Sequence, residues 1–236
     1  MFYYDYYYVI LVLPMIVLSM IAQFMVNSRF NKFSKVTTMR RMTGAEAARQ
    51  ILDQNGLYNV RVEAISGSLT DHYDPKANVI RLSDSVRNSS SVAAVGVAAH
   101  EAGHAVQHAT GYVPIKVRNA FVPIANFGSK LGVPLIIVGF LLMNLQPFIG
   151  DFIIKFGIIF FSAAVLFQFL TLPVEFDASH RAIRVLGDSG YLSTSEVKTV
   201  KKVLSAAAMT YVAAAATSLA QLLRFVLLAS SRRNNR

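Results

Sequence analysis

The chain contains no cysteine. Disulfides, thiolate metal sites, iron–sulfur clusters and a cysteine nucleophile are thereby excluded, and any metal must be held by His, Asp or Glu. Charge is also scarce. Charged residues make up 15% of the 236 residues and hydrophobic residues 54%, against about 25% charged in a typical soluble domain. The deficit points to lipid rather than to disorder. Acids are the scarcer sign, 13 against 23 basic residues, for a net charge of +10. The basic residues border apolar runs, which is the pattern of cytoplasmic membrane flanks and not of a nucleic-acid-binding patch. There is no internal repeat and no low-complexity linker.

Three long runs carry no charge at all: residues 6–26, 131–149 and 156–174. Each is close to the roughly 20 residues a helix needs to cross the hydrocarbon core. The first lacks the basic start of a secretory signal, so it is expected to be a retained anchor. Its tyrosines at 3, 4, 6, 7 and 8 are expected in the interfacial aromatic belt. Arg29, Lys32, Lys35, Arg40 and Arg41 follow with no acid before Glu46. That asymmetry places the N-terminus outside and residue 27 onward in the cytoplasm. The other two runs, joined tightly through residues 144–155, read as a hairpin. Lys116, Arg118 and Lys130 before it and Arg181 and Arg184 after it put both ends in the cytoplasm. A fourth run, 203–223, is Ala-rich, and Thr210, Thr217, Gln221 and Arg224 share one of its helical faces. A full crossing would carry Arg232, Arg233 and Arg236 outside, against the charge rule. It is read as a helix packed on the functional site and partly buried in protein or lipid, with a true span as the alternative.

Between the first two runs, Thr43 can cap a helix to about residue 54, stopped by Asn55-Gly56. Residues 59–65 and 78–82 are β-rich, with turn residues Gly67, Asp71 and Asp74-Pro75 between them, which predicts a small β-hairpin or two short strands. Asp71, His72, Tyr73 and Asp74 form a polar cluster, read either as turn chemistry or as a gate over a cleft. Ser89 to Ser91 can cap a buried helix over 92–109 that Gly111 ends. Pro173 is expected near the first turn of another helix stopped by Gly187. Ser193 and Glu196 form a capping box for the last.

Residues 100–104 read His-Glu-Ala-Gly-His inside the predicted 92–109 helix. Two His at i and i+4 project from one face and can share one zinc ion, with the Glu beside them as general base toward a water the metal activates. The surrounding helix is almost all Ala, Val and Gly. Burying two His and a Glu there without partners would cost several kcal/mol, and a metal accounts for the burial. Gly103 leaves room beside the site for another helix.

A third ligand is needed. His108 lies about 12 Å along a straight helix from His100 and about 80° around from it, so it is read as a supporting or surface residue. Glu175 follows the third run by one residue, where two crossings return the chain to the side of His104. On spacing alone it is either a ligand or an ordinary acid near a helix N-terminus.

The stretches SVAAVGVAAHEAGHAVQH and LPVEFDASHRA, with LTDHYDPKANVIRLSDSV upstream and AAAMTYVAAAATSLAQLLR downstream, together resemble the YugP-like neutral zinc metallopeptidases of bacterial membranes. The resemblance covers nearly the whole chain. It implies one Zn²⁺ held by His100, His104 and Glu175, with Glu101 as base. The layout is more remotely similar to HtpX-like membrane proteases and prenyl-protein endopeptidases, in which the Glu ligand opens an E-x-x-x-D motif. Here Ser179 stands where that motif has its second acid, so the supporting contact to a ligand His falls to Asp177 or to the serine hydroxyl.

The resulting expectation is a mainly α integral membrane protein, a zincin-like helix bundle with a small β-hairpin on the cytoplasmic side and three to four membrane helices. Its parts are an anchor (1–26), a cytoplasmic metallopeptidase part (27–130), a transmembrane hairpin (131–174) and a Glu-ligand helix with a C-terminal apolar helix and basic tail (175–236). It would hydrolyse peptide bonds at the cytoplasmic face of a bacterial plasma membrane. Candidates for stabilising the oxyanion are His180, Tyr211 and Arg224. The strand Asn78, Val79, Ile80, Arg81 and Leu82 is a candidate edge for pairing with substrate. Expected partners are a peptide or membrane-protein substrate, the bilayer and a regulatory membrane protein of unassigned identity, with no nucleic acid. The rival reading is a membrane scaffold with a structural or vestigial zinc site, against which Glu101 counts, since such a site needs no base. A small transporter is disfavoured because the three clear runs carry no ionisable residue.

Overall fold

The computed structural model describes residues 5–234. Tyr3, Tyr4 and Arg236 of the sequence reading lie outside the described residues, as do the side chains of Arg232 and Arg233. A π-helical turn, Tyr8–Val12, leads into α1 (Leu13–Phe33), followed by α2 (Gly44–Gln54), β1 (Arg61–Ile65), β2 (His72–Asp74), β3 (Val79–Ser83), α3 (Asp84–Arg87), α4 (Val92–Ala109), α5 (Val113–Leu142), α6 (Pro147–Asp188) and α7 (Thr194–Asn234). The chain is mainly helical. Four of its helical stretches are long and apolar enough to cross a membrane: Tyr8–Phe33, Val113–Leu142, Pro147–Asp188 and Thr194–Ser231.

The chain divides into two compact units. One holds Met1–Ile21, Val117–Leu172 and Thr210–Arg236. In it α5 and α6 pack at glycine contacts. A Cβ on Gly139 would lie 2.9 Å from the Gly150 carbonyl oxygen, and one on Gly150 would lie 2.8 Å from that of Gly139. Small residues that let backbones approach are the means of packing where lipid removes the hydrophobic drive. In the same unit α7 runs antiparallel to α1. Arg224 donates to Asp5 at 2.6–2.8 Å, Tyr7 Oη meets Ser231 Oγ at 3.0 Å, and Thr217 Oγ1 lies 3.0 Å from Ser19 Oγ and 3.2 Å from the Met15 carbonyl. The polar face at Thr217 and Arg224 therefore meets α1.

The other unit, Ala22–Lys116 with Pro173–Met209, carries the sheet and α2 to α4. Its core gathers Ile51 and Leu52 of α2, Ile80 and Leu82 of β3, Val92 to Val106 along α4, and Leu186, Val200 and Leu204 from α6 and α7. The predicted caps form. Thr43 Oγ1 accepts from Glu46 N while Glu46 bonds back to Thr43 N, Ser91 Oγ accepts from Ala94 N at 3.2 Å, and Ser193 and Glu196 exchange the same reciprocal bonds. Gly111 ends α4 at φ +65°, a left-handed position that glycine takes at no steric cost.

The two short strands expected at 59–65 and 78–82 form as β1 and β3, paired with each other in parallel, and the hairpin is the antiparallel pair of β2 and β3, in the order β1-β3-β2. One expectation needs correction. Pro173 does not open a helix. It lies inside α6, which runs unbroken from Pro147 to Asp188. In an apolar helix neighbouring groups can absorb the missing backbone donor, so proline is tolerated there.

Candidate metal centre

α4 is capped by Ser91 and made of small residues that let other elements approach from several sides. On it His100 and His104, one turn apart, turn their rings to a common point, 4.7 Å between centroids. α6 comes against this face because Gly103 has no side chain: a Cβ there would sit 2.7 Å from the Ala178 carbonyl oxygen. That approach delivers Glu175. Its Oε2 lies 3.2 Å from His100 Nε2 and 3.6 Å from His104 Nε2. One ligand atom from each of the three residues falls within 4.8 Å of the other two.

These residues fit zinc. A tetrahedral ion with ligands at about 2.0–2.1 Å sets ligand atoms roughly 3.3–3.4 Å apart, a spacing that falls between the two His-to-Glu separations of 3.2 and 3.6 Å. Two imidazoles and a carboxylate are also a donor set of catalytic zinc sites, which keep a fourth position open. His108 is exposed and outside the cluster, and its ring meets Tyr73 edge-on at 6.1 Å.

Each imidazole is held from behind. His100 Nδ1 lies 3.1 Å from Ser179 Oγ, one turn past Glu175 on α6. His104 Nδ1 lies 3.0 Å from Gln107 Oε1. Gln107, fully buried, donates through Nε2 to the Val174 carbonyl and to Asp177 Oδ2, both at 2.8 Å. Arg181 Nε closes the row on the same Asp177 oxygen at 2.6 Å. The serine hydroxyl and Asp177 thus serve different histidines, Asp177 through an intermediary. Burial opposes a charge on His104, but the Glu175 and Glu101 carboxylates facing it outweigh burial and raise its pKa above the ordinary imidazole value.

Glu101 is 9% exposed, and its Oε2 accepts the backbone N–H of Tyr73 at 3.0 Å. β2 thereby lies along the site. Residues 78–82 do not offer an edge: β3 is the inner strand, bonded to β1 along Val79–Ser83 and to β2 along Val79–Arg81. Asn78 precedes it at φ +53° and accepts from Tyr73 Oη. The polar cluster divides its work. Asp71 receives Ser83 N and Oγ, Asp74 receives Lys76 N, Ala77 N and Arg81, and His72 Nε2 faces Arg81 at 3.3 Å.

Of the expected oxyanion partners, two have a described position. His180 is exposed, about 140° around α6 from Glu175. Arg224 is committed to Asp5 within its own unit. Gln107 and the Tyr73 amide escaped the sequence reading. Gln107 had a usable signal, a lone amide three residues past His104 in a helix otherwise nearly free of polar groups. A backbone amide leaves none.

The profile of the family described as "Putative neutral zinc metallopeptidase" matches residues 8–230. The chain is 49% identical over 221 residues to the protein named "Putative membrane protease YugP" of Bacillus subtilis (strain 168), covering 94% of this chain and 96% of that one. No solved structure matches. A match along almost the entire length, on a chain whose two histidines and glutamate converge as a zinc donor set, places this protein in the neutral zinc metallopeptidase family.

Proposed function

We propose that the protein is a membrane-embedded zinc endopeptidase with His100, His104 and Glu175 as metal ligands and Glu101 as general base, working at the cytoplasmic face. The observation that carries the reading is the convergence of two imidazole Nε2 atoms and a carboxylate within 4.8 Å, with a second, nearly buried carboxylate adjacent in sequence. Zinc, when bound there, supplies Lewis-acid polarisation of a peptide carbonyl and lowers the pKa of a coordinated water.

The chain's own residues do the rest. Glu101 is positioned by the Tyr73 amide, which occupies one carboxylate oxygen and leaves the other to take a proton from water and return it to the leaving amine. The outer edge of β2, rather than β3, is the strand offered to an extended substrate. The substrate class is peptides or membrane proteins whose scissile segment can reach the membrane border. The two flanks of α1 and the borders of the α5–α6 hairpin support a multi-pass arrangement with this site inside the cell.

The test is bound zinc and peptide cleavage by detergent-purified wild type and Glu101→Gln side by side. Near-stoichiometric zinc in both with cleavage at least 100-fold lower in the variant is the expected result, since general-base catalysis contributes about 10²–10⁴-fold. Zinc in both with no cleavage in either favours a scaffold with a vestigial site, equal cleavage in both removes Glu101 as the base, and no zinc in metal-replete wild type overturns the reading.

A further inference from the structure

We propose that Gln107 is a positioning residue that fixes the tautomer of His104, with Asp177 and the Val174 carbonyl as the groups that fix Gln107. The inference rests on the zinc site proposed above. It follows from counting donors and acceptors.

A glutamine amide has two donors on nitrogen and an acceptor oxygen. Two fixed groups face its nitrogen, the Val174 carbonyl at 2.8 Å and Asp177 Oδ2 at 2.8 Å. A carbonyl can only accept, and an ionised carboxylate paired with Arg181 at 2.6 Å is likewise an acceptor. Turning the amide over would set its oxygen against both and leave no acceptor for the ring. The oxygen must therefore face His104 Nδ1, 3.0 Å away. Opposite an obligate acceptor, Nδ1 carries a proton, so in the neutral ring, the form that can bind a metal, Nε2 holds the lone pair. Nε2 is the atom that points at Glu175, 3.6 Å off. The residue is fully buried, so water cannot substitute for a lost partner, and an unpaired buried polar group is costly.

His100 is held differently. Its Nδ1 faces the Ser179 hydroxyl at 3.1 Å, and a hydroxyl donates or accepts, so Ser179 orients the ring without dictating its tautomer. The two ligands thus differ, one locked by a chain of one-way hydrogen bonds and one adjustable. Val174 and Asp177 flank Glu175 on α6, so the same short segment that presents the carboxylate ligand also sets the lock on His104.

The experiment uses full-length protein in detergent, with zinc affinity read by chelator competition and ring tautomers read by ¹⁵N NMR of labelled histidine, five in the chain. Gln107→Leu keeps the size and removes all three bonds. Zinc should bind about 10–100-fold more weakly, the range for losing a partner of a metal-bound histidine, and the Nδ1-protonated His104 signal should be lost from the zinc-free protein. A second pair covers failure of that variant to fold. Asp177→Asn keeps an acceptor oxygen for Gln107 and should retain zinc affinity within a few-fold, whereas Asp177→Ala, which leaves the amide held by the Val174 carbonyl alone, should lose more than Asp177→Asn and less than Gln107→Leu. A merely structural or charge role for Asp177 would move both equally. Wild-type affinity and an unchanged His104 tautomer in Gln107→Leu, or equal losses in the two Asp177 variants, would overturn the lock. Wild type without zinc would instead sink the site reading on which it stands.

Discussion

Ser179, one turn past Glu175 on α6, touches His100 at 3.1 Å. A hydroxyl is a weaker partner for an imidazole than a carboxylate, because a charge-assisted bond is roughly twice as strong. Ser179→Ala should weaken zinc binding about 10-fold, and Ser179→Asp should hold or tighten it. Chelator competition across the three proteins decides, and equal affinities would leave Ser179 without a role toward the metal. The histidines and Glu101 were legible in the sequence because the i, i+4 spacing forces them onto one face of any helix. Glu175 was not fixed by spacing, since nothing local says which acid folds back across a hairpin. It was read from topology and from resemblance. The groups that hold the ligands depend on a second helix arriving at a set angle, which no local pattern encodes.

At the scale of elements, the most consequential contact is the one between α4 and α6 at Gly103. A methyl group there meets backbone, not a side chain that could swing away: the Ala178 oxygen at 2.7 Å and its Cα and carbonyl carbon at 3.3 Å. Gly103→Ala should push α6 back and with it Glu175, Asp177 and Ser179 together. Overpacking of this kind costs about 1–3 kcal/mol, and the expected reading is a loss of zinc at least 10-fold alongside a lowered unfolding temperature. Gly187→Ala, whose new methyl would meet Val197 at an ordinary 3.8 Å, is the control. It should leave zinc unchanged and raise stability by about 0.5–1 kcal/mol through reduced backbone freedom. A Gly103→Ala protein that binds zinc normally would mean the helices can part without disturbing the ligands. The caps at Thr43, Ser91 and Ser193 were readable because a cap is a local event of four residues. β2 was not, because His72–Asp74 is three polar residues long and becomes a strand only by pairing with β3. The course of α6 through Pro173 was misread for a related reason, a soluble-protein rule applied to a helix in apolar surroundings.

For the whole molecule, the open question in the sequence was whether the last helix crosses. The charge rule argued against it, since arginines at the chain's end would be carried outside. The structure supplies the opposing term. Arg224, the ionisable residue just past the 203–223 run, is paired with Asp5 at 2.6 Å, and a paired charge is far cheaper in an apolar setting than a free one. Asp5 and Tyr7 lie just before the Tyr8–Phe33 helical stretch and Arg224 and Ser231 near the end of α7, so the two ends share a side of the membrane if that stretch crosses it. With the basic border after α1 holding residues 29–41 inside, the C-terminus is then expected outside with the N-terminus. The absence of native cysteine makes the arrangement directly measurable, because any introduced thiol is unique. Met39, 80% exposed in the basic stretch, and Phe148, 86% exposed just past the turn between α5 and α6, are the informative positions. Met39→Cys should react with a membrane-impermeant maleimide only after cells are opened. Phe148→Cys and an epitope appended after residue 236 should both be reached in intact cells. Labelling of Met39→Cys and Phe148→Cys from the same side would refute the hairpin. An epitope reached only after permeabilisation would return α7 to a helix that does not cross, and would require the Asp5–Arg224 pair to form on the inner side of the membrane with the N-terminus there too.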